Sequence, residues 1–139
     1  MQFRDSYAFL SNMYPSPIVM AERATGKLLH FTCAEAAFQA AKCPERAREF
    51  ENLTGPQAKK LGRQVSLRAD WDTKRIAYMR CILKAKFVQN PELAKALRAT
   101  GDIVLVEDNT WGDKFWGVCN GVGENNLGKL LMEIRAGLE

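Results

Sequence analysis

Ile76, Met79, Leu83 and Phe87 follow one another at spacings of three and four, which predicts a long helix capped by Asp70 or Asp72 and ended by Asn90-Pro91. Leu127, Leu130, Leu131, Ile134 and Leu138 likewise share one face of a final helix from Asn126 to Leu138. Two short runs, Pro17-Ile-Val-Met-Ala21 and Lys27-Leu-Leu-His-Phe31, flank Ala24-Thr-Gly26 and predict a hairpin. Asp102-Ile-Val-Leu-Val-Glu107 reads as the clearest strand. Shorter helices are expected from Pro44 to about Asn52, from Pro56 to about Leu61 behind the capping box Thr54-Gly-Pro-Gln57, and from Glu92 to Ala99. The segment ahead of the hairpin, from Phe3 to Pro17, reads as loop and strand. No βαβ unit repeats, so the fold class is α+β: a helix-rich single domain with a small hairpin sheet.

One predicted helix departs from the usual amphipathic pattern. In Thr-Cys-Ala-Glu-Ala-Ala-Phe-Gln-Ala-Ala-Lys, residues 32–42, the polar side chains Glu35, Gln39 and Lys42 stand among alanine and phenylalanine. At about 100° per residue they fall within roughly a sixth of a turn of one another. Cys43-Pro44 ends the helix, because the residue before proline avoids the helical region. Two readings compete. Thr32 and Glu35 spell a capping box, with Lys42 a solvated cation suiting the helix end. Alternatively, an acid and an amine share one face of a buried helix, as amine-forming or amine-cleaving chemistry at a sugar carbon requires.

Composition narrows the choice of partner. With 139 residues and 47% hydrophobic content the chain can bury one core, and no second domain is expected. It has no run of apolar residues long enough for a membrane span, and Arg4, Asp5, Ser6 and Asn12 interrupt any signal-peptide centre. A soluble cytoplasmic protein is expected. Cys33, Cys43, Cys81 and Cys119 form no Cys-x-x-Cys pair and one histidine is present, so no metal site is expected. The net charge of +4 permits an anionic ligand, yet Lys59, Lys60 and Arg63 form the densest basic cluster and no aromatic residues alternate with them. A phosphorylated metabolite suits this better than a long polymer.

The connection from Glu107 to Gly128 has an unusual composition of tryptophan, glycine and side-chain amides. Gly121-Val-Gly123 followed by Asn125-Asn126 at a helix start predicts free N–H groups suited to phosphate or ribose. Trp71 and Trp116 suit either stacking on a heterocycle or core packing. Asp113 suits either a sugar hydroxyl or a solvent-facing turn.

Taken in order, Phe9-Leu-Ser-Asn-Met-Tyr-Pro15, Glu35-x-x-x-Gln39-x-x-Lys42, Gly62-Arg63, Asp70-Trp71, Lys86-Phe87, Thr100-Gly-Asp102, Leu105-Val-Glu107, Asp113-x-x-Trp-Gly117 and Gly121-x-Gly-x-Asn-x-Leu-Gly128 resemble the NADAR family. These NAD- and ADP-ribose-associated proteins include the YbiA-like N-glycosidases. The resemblance implies hydrolysis of an N-glycosidic bond beside a phosphorylated ribose, without a cofactor. The substrate would be a riboflavin-pathway ribosylaminopyrimidine phosphate, or ADP-ribose on a guanine base, free or in nucleic acid.

By residue match, the resemblance implies Glu35, Lys42 and Asp113 as catalytic residues. It implies substrate contacts from Asn12, Tyr14, Gln39, Arg63, Trp71, Trp116, Gly117, Gly123 and Asn125. Ala36 and Met13 depart from the family pattern, where histidine and an aromatic residue are usual, and both bear on substrate fit. Two routes suit the residues: a neutral Lys42 forms a Schiff base with Glu35 moving protons, or Glu35 activates water directly. A non-catalytic ADP-ribose reader is the alternative from another class.

Overall fold

The computed structural model describes residues 1–138. The chain is α+β and helix-rich, and its contacts divide it into two compact units. One runs from Asn12 to Asn90; the other joins Met1–Ser11 to the chain from Pro91 onward. No helix among the described residues is long and apolar enough to cross a membrane.

In the Asn12–Asn90 unit the expected hairpin forms from β1 (Ile18–Ala21) and β2 (Leu28–Phe31), antiparallel, with Ile18 opposite Phe31 and Ala21 opposite Leu28. Ile18, Leu29 and Phe31 turn inward. Helix α1 (Ala34–Lys42) follows and packs against a 3-10 segment (Pro44–Phe50), α2 (Gly55–Gly62) and α3 (Trp71–Gln89). The segment from Pro44 is thus 3-10 rather than α. The Thr54 box forms as expected: Gln57 N donates to Thr54 Oγ1 at 3.3 Å and Thr54 N to Gln57 Oε1 at 2.9 Å.

The tightest approach in this unit is between α1 and α2. A Cβ on Gly62 would stand 1.9 Å from Gln39 Oε1, so only glycine fits there. Helix α3 buries Met79, Leu83 and Phe87 as its spacing predicts, together with Ile82 and Lys86, whereas Ile76 stays exposed. Asn90 closes its end, Nδ2 donating to Pro17 O at 3.0 Å and Lys86 O at 2.8 Å.

The second unit contains a 3-10 segment (Asp5–Leu10), α4 (Pro91–Ala99), α5 (Asn126–Gly137) and a two-residue parallel pair, β3 (Asp108–Asn109) with β4 (Val118–Cys119). The strand expected at Asp102–Glu107 does not form. Ile103 and Val104 are exposed, and the peptide groups that a neighbouring strand would pair are taken by a side chain. Asn125 Nδ2 donates to Leu105 O at 3.0 Å, and Glu107 N donates to Asn125 Oδ1 at 2.9 Å. High β-propensity reports a fit to a pleated, half-buried surface, and it cannot supply the partner ladder. Arg135 Nη1 ties α5 back, donating to Thr100 Oγ1 at 2.9 Å and Ile103 O at 2.8 Å.

Candidate functional site

Glu35 is not the side-chain cap that Thr-x-x-Glu suggests. Cys33 holds the N-cap position of α1 without a side-chain cap bond, and the Thr32 hydroxyl donates to Leu53 O. The backbone N–H of Glu35 donates to Asn12 O at 2.9 Å, while its carboxylate Oε1 accepts from Gln39 Nε2 at 2.8 Å. A carboxylate only accepts, so this bond fixes which way the Gln39 amide points. Gln39 Oε1 then lies buried against Gly62, without a hydrogen-bond partner among the described residues. Gln39 is therefore wedged between α2 and the acid, and it holds the Glu35 carboxylate in place.

Lys42 is half-buried in the last turn of the same helix, its Nζ 5.8 Å from the centre of the Phe38 ring. Burial pushes its pKa below the ordinary lysine range, Glu35 pulls it back up, and the positive charges of Lys59 and Arg63 push it further down. Burial outweighs the neighbouring acid, which is the balance a nucleophilic amine needs. Asn12 borders the same helix start. Its Nδ2 reaches Met79 Sδ at 3.6 Å, and its Oδ1 is buried with no partner among the described residues, an acceptor to which a ligand N–H or O–H can donate.

Trp71 is buried in a ladder of planar groups. Phe38 tilts against it at 5.0 Å, Tyr78 stacks on it at 6.1 Å, and the Arg68 guanidinium lies 4.9 Å from the Tyr78 ring. Asp70 grips Arg68 through Nε at 2.5 Å and Nη2 at 3.2 Å, and this fork holds the Asp70 carboxyl below its usual range. Arg63 and Tyr14, both named from the sequence, are exposed in this unit.

One buried group was not singled out from the sequence. Lys86 is fully buried, and burial lowers its pKa to about 7, with Cys33 opposing weakly. Its position, three residues after Leu83 and seven after Met79, places it on the apolar stripe of α3. That spacing is the signal that marks it.

In the other unit Asp113 closes a small ring. Its Oδ1 accepts from Phe115 N at 3.1 Å and Trp116 N at 2.9 Å. Its backbone N donates to Asn109 Oδ1 at 3.1 Å, and Asn109 Nδ2 returns to Asp113 O at 2.8 Å and Glu107 Oε2 at 3.0 Å. One carboxylate oxygen of Asp113 thus builds the turn. Trp116 stands edge-on to Phe115 at 4.8 Å and is half-exposed. Gly117 is buried where a Cβ would strike Glu107 Oε2 at 1.8 Å, and Gly123 has a φ of +154° beside the Gly117 carbonyl.

The free N–H groups expected ahead of α5 are already spent. The amides of Glu124, Asn125, Asn126 and Leu127 donate to the carbonyls of Lys114, Gly117, Phe115 and Trp116. Asn125, in the left-handed region at φ +55°, uses its amide to hold the 105–107 segment.

Acid, wedged amide and lysine on one helix, with glycine-rich loop geometry elsewhere in the chain, describe a class of α+β domain with one defined family match. The NADAR domain model matches residues 1–139, and the chain belongs to that family. It is 39% identical over 137 residues to the N-glycosidase YbiA of Escherichia coli strain K12, covering 94% of this chain and 81% of that protein. The NMR structure of Escherichia coli YbiA superposes with a TM-score of 0.81 at 34% identity, covering 99% of this chain and 83% of that one. A riboflavin biosynthesis protein of Vibrio vulnificus is 35% identical over 138 residues, of whose length this chain spans 36%.

Proposed function

We propose that this chain is an N-glycosidase that hydrolyses the N-glycosidic bond of a phosphorylated ribosylamine, with a ribosylaminopyrimidine phosphate as the favoured substrate. The observation that carries the reading is the Glu35–Gln39–Lys42 stripe, an acid positioned by a buried amide beside a lysine that burial pushes toward its neutral form. The N-glycosidase names of several relatives and the riboflavin name of the Vibrio protein support it.

In the proposed reaction the glycosylamine ring opens to an imine at the anomeric carbon. The neutral Lys42 amine adds to that carbon, and Glu35 delivers a proton to the exocyclic nitrogen, which departs as the free base amine. A Schiff base joins Lys42 to the sugar. Water, deprotonated by Glu35, adds to it and releases the open-chain sugar phosphate and the lysine. Asp113 is assigned a ribose hydroxyl, held by the carboxylate oxygen that its turn does not use; Asn12, Arg63, Trp71, Trp116 and Asn125 are assigned to substrate by the family match. No cofactor enters the scheme, and the free cysteines suit a cytoplasmic protein.

The test is a substrate panel scored for base release with borohydride present: a ribosylaminopyrimidine phosphate, an ADP-ribosylated guanosine and DNA carrying ADP-ribosylguanine. Base release from the pyrimidine with a reduced adduct on Lys42 is the expected outcome. Release without an adduct removes the Schiff base and leaves Glu35 activating water. No release from any of the three, with ligand still bound, makes the chain a reader.

A further inference from the structure

The face of α1 opposite Glu35 borders a cavity. At about 100° per residue, Ala37, Ala40 and Ala41 lie roughly half a turn from the stripe. They form the floor of a space of about 310 Å³, walled by Phe31 of β2 and by Tyr78 and Ile82 of α3. Protein interiors normally pack with few voids larger than a water molecule, and a space of this size falls at the small end of ligand pockets. Alanine at each floor position keeps it open, since any longer side chain there would fill it. The space continues past Glu22, Arg23 and Pro44 into a wider mouth that Glu45 and Arg48 also line.

The charges on its wall are unequal in availability. Glu22 is already committed to Arg48, through Nη2 at 2.8 Å and Nε at 3.1 Å. Arg68 is fixed in a plane over Tyr78 by Asp70 and presents a positive edge at the wall. Arg23, exposed at the hairpin end, makes no hydrogen bond or ion pair among the described residues. The inner lining therefore offers two guanidinium groups and one carboxylate that is spoken for. A floor of methyl groups facing aromatic and branched side chains makes a slot suited to a flat apolar body.

We propose that this cavity is a second binding site, distinct from the stripe, for a flat aromatic carboxylate of one or two rings. The ring lies on the alanine floor between Phe31 and Tyr78, and the carboxylate is met by Arg23 and Arg68. This site does not depend on the glycosidase reading, since binding here requires neither Glu35 nor Lys42.

The experiment is a titration of the full chain with 2-naphthoate, followed by amide shifts in 1H–15N NMR spectra, with neutral 2-naphthamide as the matched control. Saturable shifts should be confined to Ala37, Ala40, Ala41, Ala47 and Ile82, with a dissociation constant below about 1 mM. The amide should bind about tenfold more weakly. Arg23→Glu, on the exposed hairpin end, should remove that preference while leaving naphthamide binding unchanged, and Ala41→Leu should weaken both ligands. Should Ala41→Leu fail to fold, the Arg23→Glu comparison decides alone. Scattered or absent shifts, or equal binding of carboxylate and amide, overturn the proposal. Base release is not measured, so a chain inactive on every glycoside can still pass this test.

Discussion

Lys42 and Lys86 are both lowered by burial, but their neighbours differ and so do the consequences. Around Lys42, Glu35 and the cations Lys59 and Arg63 pull in opposite directions. If base release needs neutral Lys42, its rate rises with pH through a limb lying below the ordinary lysine range. Lys59→Gln removes a like charge, so it should raise the Lys42 pKa and move that limb to higher pH; a pH–rate profile reads the shift. Glu35→Gln should abolish base release while leaving ligand affinity largely unchanged, measured by single-turnover assay beside calorimetry.

Lys86 acts on stability instead. Its folded pKa of about 7 lies below its ordinary value, so between these two pH values the unfolded chain binds more protons than the folded one. Stability should therefore climb as pH rises from about 7, by at most about 1.4 kcal/mol per pH unit from this group, and the penalty is complete below that pH. Lys86→Met should flatten the climb, as denaturant melts at pH 7 and pH 9 will show.

Asp113 admits a clean separation at the same scale. Asp113→Asn keeps Oδ1 as an acceptor for Phe115 and Trp116, so the turn and the melting temperature should stay close to wild type. A fall in base release in that variant assigns the carboxylate to substrate; unchanged release assigns it to the turn alone.

At the scale of elements, the two threonine boxes show what local pattern carries. Thr54-Gly-Pro-Gln57 forms its box, because the backbone before Gly55 is free to place both side chains on each other's amides. Thr32-Cys-Ala-Glu35 has the same spelling, yet the Thr32 hydroxyl is drawn to Leu53 O and the helix starts one residue later. The 102–107 segment fails as a strand for a related reason: its partner is Asn125, far along the chain, and no local pattern encodes that. The polar stripe was legible because residues four and three apart share a helix face wherever the helix is placed.

Gly62 makes the packing of α1 on α2 testable. Gly62→Ala should push against Gln39 Oε1 and cost about 1–3 kcal/mol, lowering base release as the Glu35 carboxylate loses its fixed partner. In a Gln39→Ala background the same substitution has no amide to strike. The two stability losses should then add to less than their sum, as a double-mutant cycle measures.

At the scale of the whole chain, composition and order of motifs led to the family, and the α+β, helix-rich class followed from element order. What the sequence could not show is where nonlocal partners are spent: the amides ahead of α5, the Asp113 oxygen, and the planar ladder at Trp71. Each depends on a residue many positions away. The chain covers most of the length of YbiA but only part of the Vibrio relative. Base release by the isolated 139-residue chain is the expected result, measured against the same chain carrying Glu35→Gln.

The ladder of Phe38, Trp71, Tyr78 and Arg68 also gives the molecule a natural lamp. Trp71 is buried, whereas Trp111 is exposed and Trp116 half-exposed, so the blue edge of the tryptophan emission belongs to one indole. On one side of that indole, Phe38 leads to Lys42; on the other, Tyr78 leads to the wall of the cavity. A change at either face of α1 passes within one ring of the same chromophore, and its colour reports both.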